Sequence, residues 1–117
     1  MLFIYPKPML ILTDENFKKE IENSAKPILV DFWSASCLPC LMLSPTLEKL
    51  AEEYQDKAIF AKLNINEAPL IASEYEIDVI PVVFLFKESK PVAGFVGVQS
   101  EEVIREWLEK NLNGKNN

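Results

Sequence analysis

The sequence turns on one stretch, Asp31-Phe32-Trp33-Ser34-Ala35-Ser36-Cys37-Leu38-Pro39-Cys40. An apolar run, Ile28-Leu29-Val30, leads into it, and a helical pattern, Leu43-Ser44-Pro45-Thr46-Leu47-Glu48-Lys49-Leu50, leads out. A C-x-x-C pair therefore falls where a buried strand hands over to a helix. Backbone N–H groups at a helix start are unpaired and carry partial positive charge. A thiolate at Cys37 is stabilised there, and the thiolate is the nucleophile of disulfide chemistry.

The rest of the chain is sized for one core around that junction. It has 117 residues, 49% of them hydrophobic, which suits a single domain and is too apolar for a disordered chain. The net charge of -6 argues against nucleic acid, whose phosphates need Lys and Arg clusters. Met1-Leu2-Phe3-Ile4-Tyr5 is apolar but short, lacks a basic flank and is followed by Pro6 and Pro8, so it does not read as a signal peptide. No run approaches the roughly 20 apolar residues of a membrane span. A cytoplasmic location follows as the default, and there a C-x-x-C pair is catalytic or metal-binding more often than a structural staple. Two Cys and no His cannot fill a four-ligand zinc site within one chain.

In chain order, residues 1–8 read as a leader or an extra edge strand, 9–112 as one domain and 113–117 as a polar tail. Met9 to Leu12 is a short strand. Thr13 is placed as the cap of a helix with Asp14 and Glu15 in its first turn, Leu12 and Phe17 forming a staple across it. Ile28 to Trp33 is a central strand. A helix follows from about Cys37 to Tyr54, with Leu43, Leu47, Leu50 and Tyr54 inward and a kink at Pro45. Ala58 to Ile65 is a strand, Pro69 opens a short helix, and Val82 to Phe86 is a buried strand. Lys87-Glu88-Ser89-Lys90 is a turn into a strand from Val92 to Val98. Ser100 caps a last helix with Val103, Ile104, Trp107, Leu108 and Leu112 on its apolar stripe. The order β-α-β-α-β-α-β-β-α gives an α/β fold, a mixed central sheet with helices on both faces.

Cys37 and Cys40 are neighbours one helical turn apart, within reach of a disulfide. Position assigns Cys37 as the exposed attacker and Cys40, a turn deeper, as the resolving thiol. Asp31 is a carboxylate inside an apolar strand; burial raises its pKa towards neutrality, which suits proton transfer. The alternatives are a sheet edge in water or a structural pairing with Lys62. Lys62 alone reads as a snorkelling surface lysine. Pro81 after Ile80 suits a strand start.

These residues, with Ala61-Lys62-Leu63-Asn64-Ile65-Asn66, Ile80-Pro81 and Phe95-Val96-Gly97, resemble the thioredoxin family from about Met9 to about Leu112. The resemblance implies the thioredoxin fold, a redox-active Cys37-Cys40 disulfide with no bound cofactor and no metal, and reduction of disulfides in target proteins. It implies that Asp31 assists Cys40 through its proton, that Lys62 pairs with Asp31, and that the Ile80–Pro81 bond is cis. It places Trp33, Val79, Ile80, Pro81 and Gly97 around the target groove with Leu38 and Pro39, although Trp33 serves equally as core. It implies a thioredoxin-reductase-type electron donor and a monomer.

The chain departs from the family pattern at several places. Ser36 stands where the family usually has Trp, Leu38 where it has Gly, and Leu41 where a Lys often follows. Glu76, Val79 and Ser89 stand at family glycines near the substrate loop and hairpin. These changes bear on potential, target choice and loop conformation. A disulfide oxidase or isomerase, a non-catalytic binding module using the apolar rim at Leu38 and Trp33, and a metal shared between two chains are the alternative readings.

Overall fold

The computed structural model describes residues 9–113. They form β1 (Leu10–Leu12), α1 (Phe17–Glu22), β2 (Ile28–Trp33), α2 (Leu38–Glu53), β3 (Ile59–Asn64), α3 (Pro69–Glu74), β4 (Val82–Lys87), β5 (Lys90–Val96) and α4 (Glu101–Leu112). The expected order of elements is the observed one. What was read into residues 1–8 and 114–117 lies outside the described residues. Among those described, no helix is long and apolar enough to cross a membrane.

One five-stranded sheet has the order β1-β3-β2-β4-β5. β1, β3 and β2 run parallel, β4 pairs antiparallel with β2, and β5 pairs antiparallel with β4. β2 lies in the middle and is covered on both faces, which is why its sequence reads as nearly unbroken apolar residues.

Side-chain alternation along the strands sorts the core into two layers. On one face Leu29, Phe60, Val83 and Leu85 pack against Leu43, Leu47 and Leu50 of α2 and Ile104 and Leu108 of α4. On the other, Ile28, Val30, Phe32, Ala61 and Leu63 pack against Phe17 and Ile21 of α1 and Ile71 of α3. Asp31, Trp33 and Lys62 fall by the same alternation on the α2/α4 face. The opposite face carries linked aromatic contacts, in which Tyr75 at the end of α3 meets Phe17, Phe32, Phe84 and Phe86 at centroid distances of 5.5, 6.4, 6.3 and 5.6 Å. These contacts seat the loop that leads from α3 to Pro81.

Two local expectations shift. Thr13 does not open α1. Its Oγ1 accepts from the Asn16 amide at 3.1 Å, Asn16 Oδ1 accepts from the Thr13 amide at 2.7 Å, and the helix starts at Phe17 after this closed turn. Asp14 is thereby freed to cap another helix: its carboxylate accepts from the amides of Leu70 and Ile71, at 3.2 and 2.9 Å, at the start of α3. The hairpin is also tighter than expected. Lys87 pairs with Lys90, so Glu88 and Ser89 alone make the turn, at φ 51° and 69°. α2 runs unbroken through Pro45. Ser100 caps α4 as expected, accepting from the Val103 amide at 3.2 Å.

Candidate active site

The carboxyl end of β2 is where this sheet opens to solvent, and in open α/β sheets the crevice outside strand carboxyl ends is the usual site of chemistry. Ser34 closes the strand. Its buried hydroxyl accepts from the Ser36 amide at 3.2 Å and lies 3.0 Å from the Ser36 hydroxyl, while its carbonyl accepts from the Cys37 amide at 3.2 Å. This turn delivers Cys37 to the N-cap of α2, with Pro39 in the first helical turn where a missing N–H costs nothing. Cys37 Sγ accepts from the Cys40 amide at 3.2 Å, so the sulfur itself caps the helix.

Cys37 and Cys40 are joined as a disulfide across a Cα–Cα distance of 5.2 Å. The two sulfurs are not equivalent. Cys37 is half-buried, whereas Cys40 is 1% exposed. Leu38 and Pro39 between them are exposed.

Asp31 lies on the sheet face covered by α2 and is 3% exposed. Its Oδ1 has no hydrogen-bond partner among the described residues. Burial pushes its carboxyl up to about 7, and the charge of Lys62 opposes that rise. The expectation of a water-exposed sheet edge is thus excluded, since β2 is central. Lys62 stands opposite Asp31 in the β2–β3 register, yet its ammonium lies over Trp33, 5.2 Å from the ring centroid. Its influence on Asp31 is through space, with no ion pair between them among the described residues.

The Ile80–Pro81 bond is cis, as the resemblance implied. The Gly97 amide donates to the Pro81 carbonyl at 2.8 Å, tying the end of β5 to the start of β4. One step past the Phe32–Val82 pairing, the β2–β4 register puts Pro81 beside Trp33. Val79 is exposed, and Ile80 and Trp33 are half-buried. Glu76 and Ser89 keep the left-handed backbone that glycine favours, while Val79 does not adopt it.

Three contributors escaped the sequence reading. Ser34 holds the turn before the dithiol, and its signal was a Ser-x-Ser pattern directly after a strand. Leu41 and Met42, exposed at 47% and 60%, extend the apolar surface of Leu38 along α2; the helical period marks Leu43, Leu47, Leu50 and Tyr54 as inward and assigns these two no role. A cavity of about 580 Å³, lined by Met9, Leu10, Asn23, Lys26, Gln55 and Ile59, lies at the other end of the strands and takes no part in this site.

The thioredoxin family model matches residues 8–110. The chain is 44% identical over 100 residues to a thioredoxin of Chlorobaculum thiosulfatiphilum, covering 86% of this chain and 93% of that one. It is 46% identical over 100 residues to thioredoxin 2 of Chlorobaculum tepidum, covering 86% and 92%. It is 44% identical over 102 residues to a thioredoxin of Buchnera aphidicola, covering 87% and 94%. With a redox-capable cysteine pair at the head of α2 and this similarity along nearly its whole length, the chain belongs to the thioredoxin family and is a thiol–disulfide oxidoreductase of the disulfide-reducing kind.

Proposed function

We propose that Cys37 is the attacking sulfur, Cys40 the resolving one, and Asp31 the group that takes the proton from Cys40. The observation that carries this reading is the asymmetry of the pair: one sulfur half-exposed at a helix N-terminus, the other buried on α2, which covers the sheet face that also holds the buried carboxyl of Asp31. In the reduced protein the Cys37 thiolate attacks a target disulfide, the target S–S bond breaks, and one target sulfur leaves as thiolate. Cys40 passes its proton to the Asp31 carboxylate and attacks Cys37 Sγ. The mixed disulfide breaks, the second target sulfur leaves, and the Cys37–Cys40 disulfide forms. The target gains two electrons and the dithiol loses two. A carboxyl titrating near neutrality suits this transfer in either direction. Placing both sulfurs on one helical turn makes the second step intramolecular.

Lys62 tunes Asp31 by its charge. Trp33, Leu38, Pro39, Val79, Ile80, Pro81 and Gly97 form the surface that receives the target segment. A thioredoxin-reductase-type donor returns the electrons, and the protein works as a monomer in the cytoplasm. The test is reduction of insulin with dithiothreitol. Cys37→Ser abolishes turnover, Cys40→Ser accumulates a mixed disulfide, and Asp31→Asn slows turnover near pH 7. Full activity in Cys37→Ser removes the assignment. A reduction potential well above that of cytosolic glutathione reverses the direction of electron flow.

A further inference from the structure

The path taken by Lys62 is not explained by the exchange reaction. It faces Asp31 across the β2–β3 register, on the same side of the sheet. A lysine so placed has two ordinary choices, to pair with the carboxylate or to extend into water. It does neither. Its Nζ lies 5.2 Å from the centroid of the Trp33 ring, two residues beyond Asp31 on β2 and on the same face. Asp31 Oδ1 is left without a partner. An ammonium over an indole face is attracted by the ring's negative quadrupole, more strongly as water is excluded. Both side chains are half-buried, which favours that contact.

We propose that Trp33 is a positioning residue: its ring seats the Lys62 ammonium near enough to Asp31 for its charge to act there, and too far for an ion pair to form. An ion pair would hold Asp31 permanently ionised; a lysine in free solvent would be screened from it. The ring fixes the intermediate case. Besides Lys62, the ionisable groups on this face are Tyr54 at the end of α2, which donates to Glu109 of α4, and, once the disulfide opens, Cys40 of α2. The remaining cover, with Val83 from β4, Phe95 from β5 and Ile104 and Leu108 from α4, is apolar. The purpose of the arrangement rests on the reading of Asp31 as proton acceptor, but its physical test does not.

That test follows the Asp31 carboxyl carbon by NMR titration in the oxidised protein, where Cys40 carries no proton. Lys62→Met moves the midpoint up, because a cation is lost. Trp33→Leu moves it up by half or more of that amount, Trp33→Phe stays nearer to wild type than Trp33→Leu, and the Trp33→Leu/Lys62→Met double variant matches Lys62→Met alone. A ring that merely shields Asp31 gives the opposite sign, since Trp33→Leu then admits water and lowers the midpoint. A downward shift, no shift, or an upward shift added on top of Lys62→Met overturns the proposal. Should Trp33→Leu fail to fold, the wild-type protein still decides: Lys62 ε-protons displaced upfield by the ring support the seat, and ε-protons at the ordinary lysine position refute it. Normal turnover in Asp31→Asn would refute the role of Asp31 in the exchange and leave these titrations unaffected.

Discussion

Asp31 is a carboxyl that the folded chain holds at a cost. Its pKa in the folded protein is about 7, raised mainly by burial, against an unfolded value near that of a free aspartate. The sign follows from proton uptake. Below about pH 4 both states are protonated and there is no penalty; between that value and about 7 the unfolded state ionises while the folded one does not, so stability falls as pH rises. A gap of about three units corresponds to roughly 4 kcal/mol, an order-of-magnitude figure. Asp31→Asn therefore unfolds at higher urea concentration than wild type at pH 8, with the difference shrinking towards pH 4; equal midpoints at pH 8 would show that Asp31 is hydrated or paired in solution. Much of this residue was legible beforehand, because an acid within Ile28-Leu29-Val30-Asp31-Phe32 has few ways to reach water. What pattern could not supply was the state of Lys62. Strand register decides which residue faces Asp31, and contact with Trp33 decides where the ammonium rests; neither is encoded in local spacing.

At the scale of elements, the β4–β5 hairpin and α3 carry the two clearest liabilities. A two-residue turn with positive φ at both positions matches the twist of the strands, and Asn-Gly is its preferred filling. Here Glu88 and Ser89 occupy it at φ 51° and 69°. A left-handed conformation costs an L-residue roughly 1–2 kcal/mol, part of which glycine returns as chain entropy. Ser89→Gly accordingly stabilises by about 1 kcal/mol and raises the melting temperature by several degrees; a lower melting temperature would show that the turn depends on the serine itself. Asp14 shows the converse. It was read as belonging to α1, because caps are sought next to the helix that follows them. The Thr13–Asn16 turn instead points it at the amides of Leu70 and Ile71. Asp14→Ala leaves those donors unpaired and costs about 1 kcal/mol in urea unfolding, with Asp14→Asn recovering part of it; an unchanged midpoint would mean that water replaces the cap. The elements themselves were readable because helical and strand periods are local. The Asp14 bond joins residues that are distant in sequence, and only the assembled fold brings them together.

Over the whole molecule, charge and apolar surface are arranged to different ends. The chain is acidic at -6, yet the first turn of α2 beside Cys37 holds no acidic residue, and Leu38, Leu41 and Met42 stand exposed there at 68%, 47% and 60%. Val79 is also exposed, on the loop that leads to Pro81. A protein disulfide reaching Cys37 must cover Leu38, whereas a small disulfide need not. Apolar burial contributes about 25 cal/mol per Å², so losing a few tens of Å² of contact and meeting a charge instead removes roughly 1.4 kcal/mol. Leu38→Asp should therefore lower kcat/KM for insulin about tenfold. Reduction of a small neutral disulfide should fall less, because it need not cover Leu38 and bears only the effect of the new charge on the Cys37 thiolate. The wild-type rate on insulin should also vary little between low and high salt, since screening acts on charges and the rim at Leu38, Leu41 and Met42 is apolar. Equal losses on both substrates would place the effect of Leu38 in the sulfur chemistry. A steep salt dependence would shift target docking from this apolar rim to the acidic remainder of the surface.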